Sequence, residues 1–175
     1  MPPQTPVETT KAMFYQALLT VTGWAMPNSE RPEGNAAKLQ GLSVRDFPPA
    51  LLHRRVTARI YPRTHSDGRL HNRLFVVRAR EAQPDEPNMD KFVVIGHLIR
   101  ADSSEGTLRV TIHPQQKNTP PFTVHLRATR SVLATVNPAW MGVQLHGCLI
   151  DNLMVVERAA AANIPLRHFR RSYMR

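Results

Sequence analysis

In the second half of the chain apolar and polar residues alternate with the two-residue period of strands, not the 3.6-residue period of helices. KFVVIGHLIR (91–100), TLRVTIH (107–113), FTVHLRA (122–128), MGVQLHGCLI (141–150) and LMVVER (153–158) each predict a strand, punctuated by ADSSEG, PQQKNTPP and the Asp151-Asn152 turn. Between the third and fourth, SVLATVNPAW has room for at most one helical turn before Pro138. Alternation puts Leu108, Val110 and Ile112 inside with Phe122, Val124 and Leu126. Arg109, Thr111 and His113 then share the other face with Thr123, His125 and Arg127.

Upstream, VTARIYPRT sets Val56, Ala58 and Ile60 against Thr57, Arg59 and Tyr61, and HSDG supplies turn residues before RLHNRLFVVRAR, so residues 56–80 predict a β-hairpin. The acidic segment EAQPDEPNMD, 81–90, is the best internal boundary. Residues 27–52, with Pro27, Pro32, Pro48 and Pro49, predict an irregular connection anchored by Leu39, Leu42, Val44 and Phe47, and KAMFYQALLTVTGW (11–24) fits a short helix or a strand. The expected organisation is mainly β: a proline-rich arm over 1–52, a β domain over 53–158 and a basic tail over 159–175.

Two of the strands, FVVIGHLI and VQLHGCLI, carry a glycine near the middle, at Gly96 and Gly147. An interior glycine marks a bulge, a sharp bend or a close backbone approach, and a small closed barrel needs such bends. With its strand order and the longer connection between strands three and four, the stretch 91–158 resembles OB-fold proteins, here extended by the 56–80 hairpin. The resemblance implies that the outward face of the second and third strands holds single-stranded nucleic acid. It nominates Arg109, His113, His125 and Arg127, with Lys117 on the adjoining loop. The face departs from that pattern in having no aromatic ring at its outward positions. Tyr61, Phe75 and Trp140 lie near the sheet and read as core.

Charge strengthens the expectation. Formal net charge is +10, from 23 Lys plus Arg against 13 acids, and only Lys11, Lys38, Lys91 and Lys117 are lysines. Arginine's planar fork suits phosphates and stacks on flat rings. The stretch from His53 to Arg80 holds Arg54, Arg55, Arg59, Arg63, Arg69, Arg73, Arg78 and Arg80 against the single acid Asp67, and the end of the chain adds Arg167, Arg170 and Arg171 beside Tyr173. Arg54, Arg55, Arg59, Arg63, Arg69 and Arg73, with Arg167, Arg170, Arg171 and Tyr173, complete the candidate nucleic-acid-binding set; the expected partner is single-stranded DNA or RNA. The alternative is a structural or adaptor subunit of a protein or ribonucleoprotein assembly, its arm and tail draped over protein partners.

No cofactor is implied. The eight histidines form no HxH or HExxH pattern, a lone cysteine excludes CxxC, and no glycine-rich phosphate loop or nucleophile elbow is present, so neither a metal site nor an enzyme is expected. Cys148, the only cysteine, reads as a buried small hydrophobe, and no intramolecular disulfide is possible. No apolar run reaches a membrane-spanning length and MPPQTPVETT lacks signal-peptide character, which predicts a cytoplasmic protein.

Overall fold

The computed structural model describes residues 14–30, 35–114 and 118–164. Ten strands follow in order: β1 (Gln16–Pro27), β2 (Ala37–Leu39), β3 (Leu42–Arg45), β4 (Arg55–Tyr61), β5 (Leu74–Glu81), β6 (Asp90–Asp102), β7 (Thr107–Ile112), β8 (Phe122–Ala128), β9 (Gly142–Ile150) and β10 (Leu153–Ala161). One short helix, α1 (Arg130–Thr135), capped by the Thr129 hydroxyl, sits where the sequence left room for a single turn.

The five strands predicted downstream of residue 90 are all present and close on themselves in the order β6-β7-β8-β10-β9-β6, with β8 and β10 parallel and the other pairs antiparallel. Leu108, Val110, Ile112, Val124 and Leu126 are buried inside this ring, as their alternation requires, and Phe122 is half-buried.

The upstream half differs from expectation. Where an irregular arm was expected over residues 1–52, residues 16–45 contain three strands. The helix-or-strand ambiguity over 11–24 resolves, from Gln16 onward, to a strand, because Leu19 and Val21 are fully buried at period two. Leu39 and Leu42 flank a two-residue turn at Gln40-Gly41, both with positive φ, which is the backbone that joins two adjacent antiparallel strands most tightly. The anticipated hairpin forms as β4 and β5 and lengthens the sheet through β1, which lies between β4 and β6, but it also belongs to a ring of its own. β4 pairs with β1, and β5 runs parallel to β3, so a second ring closes as β1-β2-β3-β5-β4-β1. At the other end β10 runs past Arg158 to Ala161, and Ile164 is buried, so part of the expected tail belongs to the folded structure.

The two rings are copies of one plan. They join through antiparallel pairing of their first strands, with Leu19 opposite Phe92. Moving outward from that pair, Gly23 faces Val56 as Gly96 faces Val143, and Ala25 faces Leu39 as Leu98 faces Val110. Ile60 faces Val76 as Gly147 faces Val156, and beyond each pair one extra residue, Val77 or Glu157, makes a β-bulge. The parallel closures match too, Arg45 with Phe75 and Arg127 with Val155, and both arginines bury an Nε that has no hydrogen-bond partner. A pseudo-two-fold axis therefore passes through the Leu19–Phe92 pair.

The rings also interlock. Residues 63–71 fold into a small hairpin through the Thr64–Leu70 bridge and the 2.8 Å bond from the His65 N–H to the Arg69 carbonyl. It wedges into the first ring's neighbour: the His125 N–H donates to Thr64 Oγ1 at 2.8 Å and the Leu70 N–H to the Asn152 carbonyl at 3.0 Å, while Leu70 is buried. The acidic segment 81–90 runs back over β4, its Glu86 carboxylate taking hydrogen bonds from Arg80, Thr57 and the Gln83 N–H. Chiefly through the Arg80 hydrogen bond, that carboxyl is held down at about 2 and stays charged at any ordinary pH.

His97 is buried against Tyr15 and His113, with ring centroids 6.2 and 5.8 Å away. Burial, and then the neighbouring His113, pulls its pKa down to about 4. The unfolded chain therefore binds a proton between pH 6.5 and about 4 that the folded chain does not, so stability falls across that window. Urea titrations from pH 7 to 4 should show this loss, roughly 3 kcal/mol, and His97→Gln should make the fall shallower, the lowered His71, His125 and His146 accounting for what remains. An equal slope in wild type and variant refutes the assignment.

Candidate nucleic-acid interface

The predicted arginines divide by what already holds them. Arg55 is fully engaged: it donates to Asn88 Oδ1 at 2.8 and 3.2 Å, to the Gln83 carbonyl at 3.2 Å and to the Glu86 carbonyl, and so fastens the acidic segment to β4. Arg54 pairs with Glu81 at 3.0 Å and Arg69 with Asp67 at 3.7 Å, both exposed. Arg59, Arg73 and Arg109 are exposed and have no carboxylate partner among the described residues; the same is true of Arg78.

The face nominated on β7 and β8 is only partly open. Arg109 faces His125 across the strands, and burial followed by the charge of Arg109 lowers the His125 pKa. Arg127 donates to the Glu105 carbonyl at 3.1 Å. The wedge hairpin lies alongside, with the Arg63 guanidinium 3.4 Å above the Phe122 ring and Gly68 close to the His125 carbonyl and Arg127. The wedge hairpin thus sets Arg63 against Phe122 and Gly68 beside Arg127, so stretches distant in sequence border the same strand. His113 leaves the group: its ring packs on Tyr15, centroids 4.9 Å apart. Lys117, Arg167, Arg170, Arg171 and Tyr173 lie outside the described residues, as do residues 1–13 and 31–34 of the arm and 165–175 of the tail expected to meet protein partners.

The aromatic surface missing from that face lies on the other ring. Tyr61 and Phe75, read from sequence as core, face each other across β4 and β5 and are 46% and 41% exposed. Next along the same pair of strands Arg59 faces Arg78, and on the far side the Arg45 guanidinium lies 3.3 Å above the Phe75 ring. Like charges placed directly opposite on a sheet are destabilising unless something negative separates them. The alternation already contained the signal for Tyr61, which shares a face with Thr57 and Arg59.

A second exposed ring, Trp24 on β1, was not singled out by sequence. It is 62% exposed opposite Arg55 and borders a cleft of about 410 Å³ lined also by His53, Arg54, Glu81, Gln83 and Pro84. Among the described residues no group of three or more His, Cys, Asp or Glu could hold a metal ion, and no helix is long and apolar enough to cross a membrane. Cys148 is half-buried rather than fully buried, beside Lys91 and Glu157, and burial raises its thiol pKa. Set against protein-family models, curated proteins and solved structures, the chain matches none.

Proposed function

We propose that this chain is a non-catalytic single-stranded nucleic-acid-binding protein whose main contact surface is the outer face of β4 and β5. The observation that carries this reading is the Tyr61–Phe75 pair, exposed at one end of the β4–β5 ladder and bordered by Arg59 and Arg78, whose charges no carboxylate of the described residues offsets. Unpaired bases have flat apolar faces next to phosphates, and rings beside arginines meet both. The strand order of each ring, first-second-third-fifth-fourth and back to the first, is that of OB-like folds, which supports the same reading. In this reading Arg109, opposite His125, is a secondary phosphate contact.

Fluorescence polarisation with labelled oligo-dT and oligo-rU tests it directly, the two probes separating DNA from RNA. Binding at low salt should weaken steeply as salt rises, and replacing Arg59 and Arg78 with alanine should lower the log–log salt slope by about 1.4, roughly 0.7 for each lost phosphate contact to a single strand. Absence of binding to both probes at low salt overturns the proposal. So does a preference for duplex over single strand that survives loss of the two aromatic rings.

A further inference from the structure

Trp24 is the most exposed large apolar side chain among the described residues, and nothing in the scaffold requires it to be bare. The pseudo-two-fold axis supplies the control. The position equivalent to Trp24 in the second ring is His97, one residue beyond Gly96 as Trp24 is one residue beyond Gly23, and His97 is buried under Tyr15 and His113. Among the described residues the first ring has no such cover. Instead the residues around Trp24 form an open cleft of about 410 Å³, a volume that admits a nucleobase with its sugar. One wall is the indole and the others are His53, Arg54 and the Glu81–Pro84 turn. Among the described residues Arg54 is held there only by an exposed pair with Glu81, which a phosphate can displace at little cost.

Trp24 also lies on the same sheet face as the Tyr61–Phe75 pair. Trp24 is opposite Arg55, and β4 then carries Thr57, Arg59 and Tyr61 outward along that face. Six residues of strand separate the two ends, roughly 20 Å at about 3.3 Å per residue. The Glu86 carboxylate and its segment cross midway, over Thr57. A strand bound at Tyr61 and Phe75 must therefore pass the Arg80–Glu86 ion pair to reach Trp24, and only a ligand several nucleotides long can touch both.

The geometry points to the Trp24 cleft as a second base-binding site, in which a nucleobase stacks on the indole while its phosphate meets Arg54 and His53. This rests on the single-strand reading above and extends it from one contact patch to a two-site track. The predicted ligand is a single strand long enough to span both ends of β4.

The chain has two tryptophans, Trp24 and Trp140, so the Trp140→Phe variant isolates the emission of Trp24. In that variant a 12-nucleotide oligo-dT or oligo-rU should quench the fluorescence strongly, whereas a trinucleotide of the same base should not. Trp24→Ala should weaken the 12-mer by roughly tenfold, measured by polarisation, and leave trinucleotide affinity unchanged. If Trp140→Phe does not fold, the difference in quenching between wild type and Trp24→Phe gives the same signal. A 12-mer that binds without altering Trp24 emission, and binds Trp24→Ala as well as wild type, overturns the cleft and leaves the Tyr61–Phe75 surface standing. A protein that binds no oligonucleotide overturns both.

Discussion

Replacing Tyr61 and Phe75 together with alanine should weaken oligonucleotide binding by about a hundredfold, the largest loss expected from any pair of surface residues. Base-on-ring stacking is worth roughly 1–3 kcal/mol per base, so two rings together account for roughly 2–6 kcal/mol, against 1.4 kcal/mol per tenfold in affinity. The fold should survive, because both side chains are exposed and their loss removes one cross-strand aromatic pair, roughly 0.2–1 kcal/mol. Phe75→Ala also frees the Arg45 guanidinium from its ring, which adds a cation available to phosphate and moderates the loss. Tyr61→Phe is the control: it keeps the stacking surface and should keep most of the affinity. Polarisation titrations at fixed salt, beside urea unfolding of each variant, separate binding from folding. An alanine pair that binds like wild type removes the aromatic surface from the mechanism.

The second ring was legible in the sequence because each of its strands is long enough to show a period. Much of the first was not. β2 and β3 have three and four residues, too few for alternation to register, and the prolines around them favour an irregular reading. Their pairing depends on the positive-φ turn at Gln40-Gly41, and Gln is not among the residues that announce such a turn. Nor does the repeat show in the letters, since LTVTGW and FVVIGH match in burial and register far more than in identity.

The candidate site was half-legible for a related reason. Counting charges from His53 to Arg80 shows one acid among eight arginines, but Glu81 and Glu86 lie just beyond and fold back onto Arg54 and Arg80, while the same segment's backbone and Asn88 occupy Arg55. Charge density thus overstated what is available to a ligand. For Tyr61 the period was right and the general expectation that large aromatics are buried pointed the wrong way. Phe75 alternates with the buried Leu74 in the same manner.

Gly147→Ala should cost the protein at least about 3 kcal/mol, a large part of the 5–15 kcal/mol that holds a typical domain folded. A Cβ built on Gly147 would lie 1.9 Å from the Val155 carbonyl oxygen and 2.5 Å from Phe92 Cζ. The ring could yield by turning; the carbonyl belongs to the neighbouring strand beside the Glu157 bulge and cannot move without opening the β9–β10 pairing. The first ring shows what sets this requirement. Its counterpart of Gly147 is Ile60, packed opposite Leu19, whereas Gly147 is opposite Phe92, so the larger partner in one ring is matched by the smaller residue across from it. Gly147→Ala combined with Phe92→Leu should therefore recover part of the loss and not all of it, the remainder being the carbonyl clash. Gly23→Ala, whose Cβ would meet Gln40 Cγ at 2.6 Å, should cost less than Gly147→Ala, about 1–3 kcal/mol, because a side chain and not a strand carbonyl must yield. Urea midpoints for the four proteins should rank wild type first, Gly23→Ala second, the double variant next and Gly147→Ala last. An unshifted midpoint for Gly147→Ala would mean that β9 and β10 are not packed against Phe92 as described, and that the ring closes in some other way.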